Sequence, residues 1–406
     1  MLTTLVEGVK GGKWYSLMDK VRADATLRAA FARAKSNDGA SGVDHVTVAM
    51  FESEEDANLR RLGEELRTGE YRPQAIRRVY IPKPGSPEKR PLGIPTVRDR
   101  VVQTALKMVL EPIFERDFAA QSHGFRPGRG CKDALRRVDE LLKEGAVFVV
   151  DADLKSYFDT IPHERLLAQV GQKVSDGKIM KLLGQFLGQG ILDGLSAWTP
   201  EHGTPQGAVI SPLLSNIYLD PLDHLMVREG FEMVRYADDF VVLCRSEAQA
   251  ARALAAIAEW TAAAGLILHP DKTHLIDARG QSFDFLGYRF EGGRRWPRDK
   301  SLGKLKDSLR AKTRRTAGQS LRAIIARLNP TLRGWFVYFQ HSHRTTFPDL
   351  DGWIRRRLRS LLRRHRGRRG IARGADHQRW TNHFFAEQGL FSLQRAHALA
   401  GQSPRG

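Results

Sequence analysis

The sequence predicts an α+β fold, and three observations carry that prediction. Apolar runs with strand character and apolar runs with helical spacing are interleaved without a regular βαβ rhythm, which argues against a doubly wound sheet. Hydrophobic residues make up 41% of the chain, enough for packed cores rather than disorder. At 406 residues the chain exceeds what one ordinary core organises, so two or three domains are expected.

The elements follow in order. Residues 14–36 read as a helix carrying Leu17, Val21, Leu27, Ala30, Phe31 and Ala34, and the glycines of SNDGASGVDH (36–45) end it in a loop. A second helix is expected over 53–68. RRVYIPKPGSPEKRPLGIP (77–95) reads as a hairpin, with a β-rich run, a Pro/Gly-laden connection and a return strand. In 100–118, Val101, Val102, Ala105, Leu106, Val109, Leu110, Ile113 and Phe114 alternate steps of one and three, the signature of an amphipathic helix. AVFVVDADL (146–154) reads as a buried strand ending in acid. Helices are expected over 209–228 and, rich in alanine, over 247–264. Between them YADDF (236–240), flanked by Val234 and by Val241, Val242 and Leu243, reads as strand, tight turn, strand. FDFLGYRFEGGRRW (283–296) predicts another hairpin. Beyond it, LNPTLRGWFVYFQHS (328–342) is rich in aromatics. In WIRRRLRSLLRRHRGRRG (353–370) Trp353, Ile354, Leu358, Leu361 and Leu362 recur at helical spacing.

The net charge is +19, which points to a polyanionic partner rather than a small metabolite. The charge is concentrated: residues 301–406 hold 23 Lys and Arg against 5 Asp and Glu, while the first 300 residues sum to +1. A near-neutral body with a basic appendage suits phosphate binding. Nine arginines crowd residues 353–370 with no interleaved acid and would repel one another without a polyanion. The two cysteines, Cys131 and Cys244, are too few for a structural zinc site or a disulfide framework. The N-terminus has no apolar signal core and no stretch approaches a membrane span, so a cytoplasmic location without membrane contact is expected.

Chemistry concentrates at acids. Asp153 closes an apolar strand, and Asp238 and Asp239 sit side by side at a hairpin tip, where like charges are costly unless something positive lies beside them. Three carboxylates on rigid strands suit two Mg²⁺ ions, which favour hard oxygen ligands, with Mn²⁺ a possible substitute. Two such ions, about 3.5–4 Å apart, activate an attacking hydroxyl and stabilise a leaving oxygen in phosphoryl transfer.

The succession RPLGIPTVRDRVVQ, SHGFRPGRG, DADLKSYFD, GTPQGAVISPLLSNIYL, YADD, LHPDKTH and FLGYRF resembles the ordered motifs of reverse transcriptases, and most nearly those of group II intron-encoded reverse transcriptase/maturases. The resemblance runs from about residue 35 to about 365 and resumes through RWTNHFFAEQGLFSL (379–393). YADD alone is a weak signal; seven motifs in one order are specific.

The resemblance implies a right-hand polymerase with fingers and palm, followed by an α-helical basic thumb, or maturase domain X. Its expected divisions are an N-terminal extension with a template-contacting loop (1–45), fingers and palm (46–295), thumb/domain X (296–370) and a short nucleic-acid-contacting tail (371–406). Asp153, Asp238 and Asp239 match the metal ligands. Phe158 matches the aromatic packed against the incoming deoxyribose, where a ring leaves little room for a 2′-hydroxyl. Lys83, Arg90, Leu154, Gln206 and Gly207 match further dNTP contacts, with the cations facing triphosphate. Lys272 matches a lysine that protonates departing pyrophosphate. Arg126 and Arg129 are expected on template or primer phosphates, and Arg355, Arg356, Arg359 and Arg363 on nucleic acid generally.

The implied function is RNA-directed DNA polymerisation that copies intron RNA, joined to maturase binding that promotes splicing. The partners would be group II intron RNA, template RNA with a DNA primer, target DNA and dNTPs. The cysteine/histidine endonuclease domain of many family members is not expected after residue 371, so a pre-existing 3′ end would serve as primer. A domesticated or defence-associated relative without a splicing role would carry the same motifs. A splicing factor with a dead polymerase centre is disfavoured by the presence of all three acids.

Overall fold

The computed structural model describes residues 12–82, 89–194, 196–314, 318–368, 370 and 372–402. The chain divides into two compact units, Met1–Ile276 and Asp277–Gly406. The break falls before the 283–296 segment, so that segment belongs to the second unit, earlier in the chain than the expected boundary at 295/296.

The first unit opens with α1 (Met18–Val21), α2 (Asp24–Asn37), α3 (Val48–Ser53) and α4 (Glu55–Thr68). The single helix expected over 14–36 is thus broken at Ala23, whose backbone is extended. The cause is remote: Asp176 Oδ2 accepts from the Leu17 and Met18 backbone N–H groups at 2.7 and 2.9 Å and starts a short turn there. The same carboxylate caps a later helix through Lys178 and Ile179. β1 (Ile76–Pro82) and β2 (Lys89–Ile94) form the expected antiparallel hairpin, with Ile81 opposite Arg90. α5 (Val97–Glu115), capped by Thr96, buries the apolar face read from the sequence.

α6 (Cys131–Lys143) and β3 (Phe148–Asp153) follow, then α7 (Tyr157–Thr160), α8 (His163–Gly171) and α9 (Gly177–Leu187). β4 (Ile191–Asp193) and β5 (Ser196–Trp198) extend the first sheet in the order β2–β1–β4–β5, with β4 parallel to β1. α10 (Ser211–Arg228), β6 (Glu232–Tyr236), β7 (Asp239–Cys244), α11 (Glu247–Ala263) and β8 (His274–Asp277) complete the unit; the second sheet runs β6–β7–β3–β8. One core, built largely from α2, α5, α9, α10 and the inner faces of β3 and β7, supports this sheet. Burying such apolar surface, at about 25 cal/mol per Å², holds the unit against chain entropy.

The second unit starts with three antiparallel strands, not two: β9 (Phe283–Phe285), β10 (Tyr288–Glu291) and β11 (Arg294–Pro297). Helices α12 (Asp299–Lys312), α13 (Leu321–Phe339), α14 (Thr346–His365), α15 (Gly374–Arg379), α16 (Asn382–Glu387) and α17 (Leu393–Gln402) follow. Trp380, Phe385 and Leu393 join Leu328, Phe347, Leu358 and Leu361 in one core. Asp351, itself 2% exposed, accepts from Ser392 Oγ and the Leu393 and Gln394 N–H groups and so fastens the start of α17 to α14. The segment expected as a tail for nucleic acid is therefore largely used in packing. Among the described residues no helix is long and apolar enough to cross a membrane.

Candidate active site

The acids meet where the β3–β7 ladder ends. Antiparallel register sets Asp153 opposite Asp239, and Tyr236 opposite Asp239 closes the turn that carries Asp238. Strand pairing alone brings together Asp153 and Asp239, 86 positions apart in the chain. Asp153 and Asp238 are half-buried and Asp239 is exposed. Burial pushes the Asp238 carboxyl above its ordinary range; a backbone hydrogen bond, Arg90 and Arg235 pull it down, and the Asp153 charge pushes it further up. A carboxyl whose proton affinity is raised by burial and by a neighbouring carboxylate is a donor that a hard divalent cation would relieve. Among the described residues no group of three or more acidic, histidine or cysteine side chains is already drawn together as a metal cage. The carboxylate oxygens of Asp153, Asp238 and Asp239 are the donor type that a hard divalent cation takes.

Lys272 reaches the same place. Its Nζ donates to Asp153 Oδ2 at 2.9 Å. Backbone bonds from Lys155 N to Ile267 O and from His269 N to Asp153 O hold its loop to the end of β3.

Beside the acids lies a cleft lined by Arg78, Pro91, Gly93, Phe158, Gly203 and Gln206, among others. The GTPQG loop is stitched to both its walls. Thr204 N donates to Phe158 O, Gly203 N to Ile161 O, and Gly93 N to Gln206 O at 2.7 Å. Gly203 and Gly207 have φ of +89° and +104°; a Cβ at Gly207 would stand 2.5 Å from Gly93 O, and one at Gly203 2.7 Å from Phe158 O. Only glycine permits both approaches. Gln103 Oε1, from α5, accepts from Val209 N and Ile210 N and anchors the loop's exit into α10.

The sequence-predicted residues divide. Asp153, Asp238, Asp239 and Lys272 are brought together, Phe158 and Gln206 line the neighbouring cleft, Gly207 packs behind it against Gly93 O and Leu92, and Arg90 on β2 is close enough to bias Asp238. Lys83 lies outside the described residues. Leu154 is 4% exposed and its side chain belongs to the core, not the cleft.

Arg126 corrects the expectation of a phosphate contact. It is 7% exposed, pairs with Glu115 at 2.8 Å and donates to the Ala119 and Ser122 carbonyls. Its donors are consumed inside the fold, where they tie off the end of α5. Arg129 is half-buried and donates to Ala120 O at 2.6 Å. In the second unit Arg359 is 5% exposed and donates to Trp380 O and Asn382 Oδ1, so it too departs from the expected nucleic-acid face. Arg363 pairs with Asp376 at 2.7 Å and Arg355 with Asp351 at 3.7 Å, while Arg356 is exposed. The helical stripe buries its apolar side as expected, but several of its arginines are internal fasteners.

Sequence reading missed the residues that hold the acids in place. Arg235, fully buried, forks onto Asp223, which is also fully buried, and donates to Asn216 Oδ1, Ala237 O and Ser122 Oγ at 2.8–3.0 Å. A lone arginine inside the apolar strand EMVRY was the available signal. Arg78 was missed as well; its guanidinium lies 4.8 Å over the Trp198 ring and it shares the cleft lining.

Comparison with known proteins sets this geometry in context. Residues 81–290 match the family described as reverse transcriptase (RNA-dependent DNA polymerase), and residues 302–380 match the group II intron, maturase-specific domain. The chain is 36% identical over 287 residues to protein YkfC of Escherichia coli strain K12, covering 61% of this chain and 75% of that protein. It is 39% identical over 201 residues to the group II intron-encoded protein LtrA of Lactococcus lactis subsp. cremoris, covering 49% of this chain and a third of that protein. Among solved structures, a partial Cas6-RT-Cas1–Cas2 complex aligns with a TM-score of 0.39 at 23% identity, over 61% of this chain and 41% of that chain.

Proposed function

Starting from the fact that this chain belongs to the reverse transcriptase (RNA-dependent DNA polymerase) family and carries a group II intron maturase-specific domain, we propose that it extends a DNA primer along an RNA template and binds group II intron RNA through its basic C-terminal unit. The family is metal-dependent. The observation that carries the reading is the strand register that sets Asp153 beside Asp238 and Asp239, next to the Phe158–Gln206 cleft.

Asp153 and Asp238, with Asp239 adjoining, would hold the metal, taken here as Mg²⁺ with Mn²⁺ able to replace it. When bound, such ions lower the pKa of an attacking hydroxyl and stabilise charge on phosphate oxygens. The protein's own groups do the rest. Phe158 presents a ring to the sugar of a dNTP and leaves little room for a 2′-hydroxyl. Arg90 and Arg78 supply positive charge for a triphosphate at the cleft, where donors are fixed before reaction. Gln206 is held by its backbone to β2, so the fingers hairpin and the sugar contact move together. Lys272, which donates to Asp153, would orient that carboxylate and give a proton to a departing phosphate oxygen. The maturase role needs binding only; the RNA would supply the splicing chemistry. The protein would act in the cytosol on template RNA, primer and target DNA.

Incorporation of dTTP on poly(rA)/oligo(dT) tests the polymerase half. We expect incorporation that requires a divalent cation and falls by at least about a thousandfold in Asp238→Ala, as removal of an electrostatic catalytic group does. Incorporation by the variant at wild-type rate would refute the site.

A further inference from the structure

Phe125 is an anomaly beside the acids. It is a bulky residue at φ +60°, a conformation that is strained outside glycine. The residue is 43% exposed, so the strain is not compensated by burial. The surrounding structure forces the conformation. Ser122 bridges to Arg235 in parallel register, and His123 N donates to Arg235 O at 2.8 Å, which extends the β6 edge. Asn216 Nδ2 holds Gly124 O at 2.8 Å. Gly124 is pressed so closely on the turn that a Cβ there would lie 2.2 Å from Ala237 N. Ala237 is itself at φ +61°, and its carbonyl is clamped by Arg235. Two strained residues, one from each segment, thus flank the close Gly124–Ala237 approach immediately before Asp238. The result is that the exposed Phe125 ring stands 6.4 Å from the half-buried Tyr236 ring.

Two facts bear on what this ring is for. An exposed ring backed by a half-buried one, beside the proposed phosphoryl-transfer site, is a surface on which a base or sugar can pack. Neither Phe125 nor Tyr236 lines the Phe158–Gln206 cleft, so the pair lies outside the nucleotide pocket. The other reactant that must be seated at the aspartates is the end of the strand being extended.

Building on the polymerase reading, we propose that Phe125 is a positioning residue for the primer: its ring, backed by Tyr236, receives the terminal nucleotide of the primer and sets the 3′-hydroxyl toward Asp238. Stacking on a ring is tolerant of base identity, so the contact serves every primer end.

Phe125→Gly separates the roles, because glycine relieves the φ while removing the ring. We expect an unchanged or higher melting temperature, a dNTP KM within about twofold of wild type, and a primer–template KM raised about tenfold. Fluorescence anisotropy with a primer–template duplex, without dNTP, should show weaker binding of the same order. Phe125→Trp should restore both. A Phe125→Gly protein with wild-type primer–template KM and affinity overturns the proposal. So does a loss shared equally by dNTP and primer, or a lowered melting temperature that Phe125→Trp does not repair, since either marks a structural role. If wild-type protein binds the duplex but incorporates nothing, the polymerase reading fails. The anisotropy comparison still decides the role of Phe125.

Discussion

Arg235 shows what a single residue does for the site. With Asp223 it forms an ion pair from which water is excluded, and its remaining donors reach Asn216, Ser122 and Ala237. A buried pair of this kind adds little net stability over an apolar pair, yet breaking it leaves an uncompensated charge. Arg235→Met should therefore cost about 3–5 kcal/mol, read as faster hydrogen exchange across β6 and β7 and a lower urea midpoint. The double variant Arg235→Met/Asp223→Leu should recover much of that stability and little polymerase activity, because the Ala237 carbonyl and Ser122 hydroxyl stay unanchored. Recovery of both together would mean that the pair only fills space. Sequence reading located the three aspartates because their chemistry sits in motifs. It overlooked Arg235 because a buried arginine announces itself only through partners 12 and 113 positions away. The opposite error arose at Arg126 and Arg359. Both look like surface cations in sequence, and only the packing around α5 and α14 shows their donors consumed by carbonyls and carboxylates.

At the level of elements, the local signals were strong where one helix or hairpin satisfies itself. α5, α10, α11 and the β6–β7 hairpin lie within a few residues of their expected spans, since apolar spacing and turn residues are local properties. They failed where a distant group intervenes, as at α1, which starts on the Asp176 carboxylate. The β9–β11 meander was read as one hairpin because the Leu286–Gly287 turn between β9 and β10 is too short to register as a break, although both residues have positive φ. On the proposed reading, the GTPQG loop is the element on which nucleotide binding would turn. Gly207→Ala would drive a Cβ into Gly93 O from a φ of +104° and so part the loop from β2. We expect the KM for dNTP to rise about tenfold while primer–template affinity holds, given that contacts of this kind act on positioning. A rise in primer–template KM of equal size would mean that the loop supports the whole palm rather than the nucleotide cleft.

For the molecule as a whole, the charge asymmetry read from composition holds, but its distribution is reorganised by folding. The second unit keeps the basic excess, yet Arg355, Arg359 and Arg363 are committed to Asp351, Trp380, Asn382 and Asp376. The cations that remain exposed on and after α14 include Arg356, Arg364 and Arg368. Deleting residues 353–406 is consequently a poor test of RNA binding, for it would also remove Leu358, Trp380, Phe385 and Leu393 from the core and unfold the unit. Neutralising the exposed set is the sharper experiment. Each phosphate contact releases condensed counterion, with a slope of roughly 0.7 per contact for single strands and 0.9 for duplex in log affinity against log salt. Arg356→Gln/Arg364→Gln/Arg368→Gln should thus flatten the salt dependence of intron RNA binding by about 2 to 3 units and leave the melting temperature within a few degrees. Arg359→Gln should do the reverse, lowering the melting temperature and, where the protein remains folded, keeping the slope. Identical slopes for the triple variant and wild type would move the RNA-binding face away from α14, to the other exposed cations of this unit.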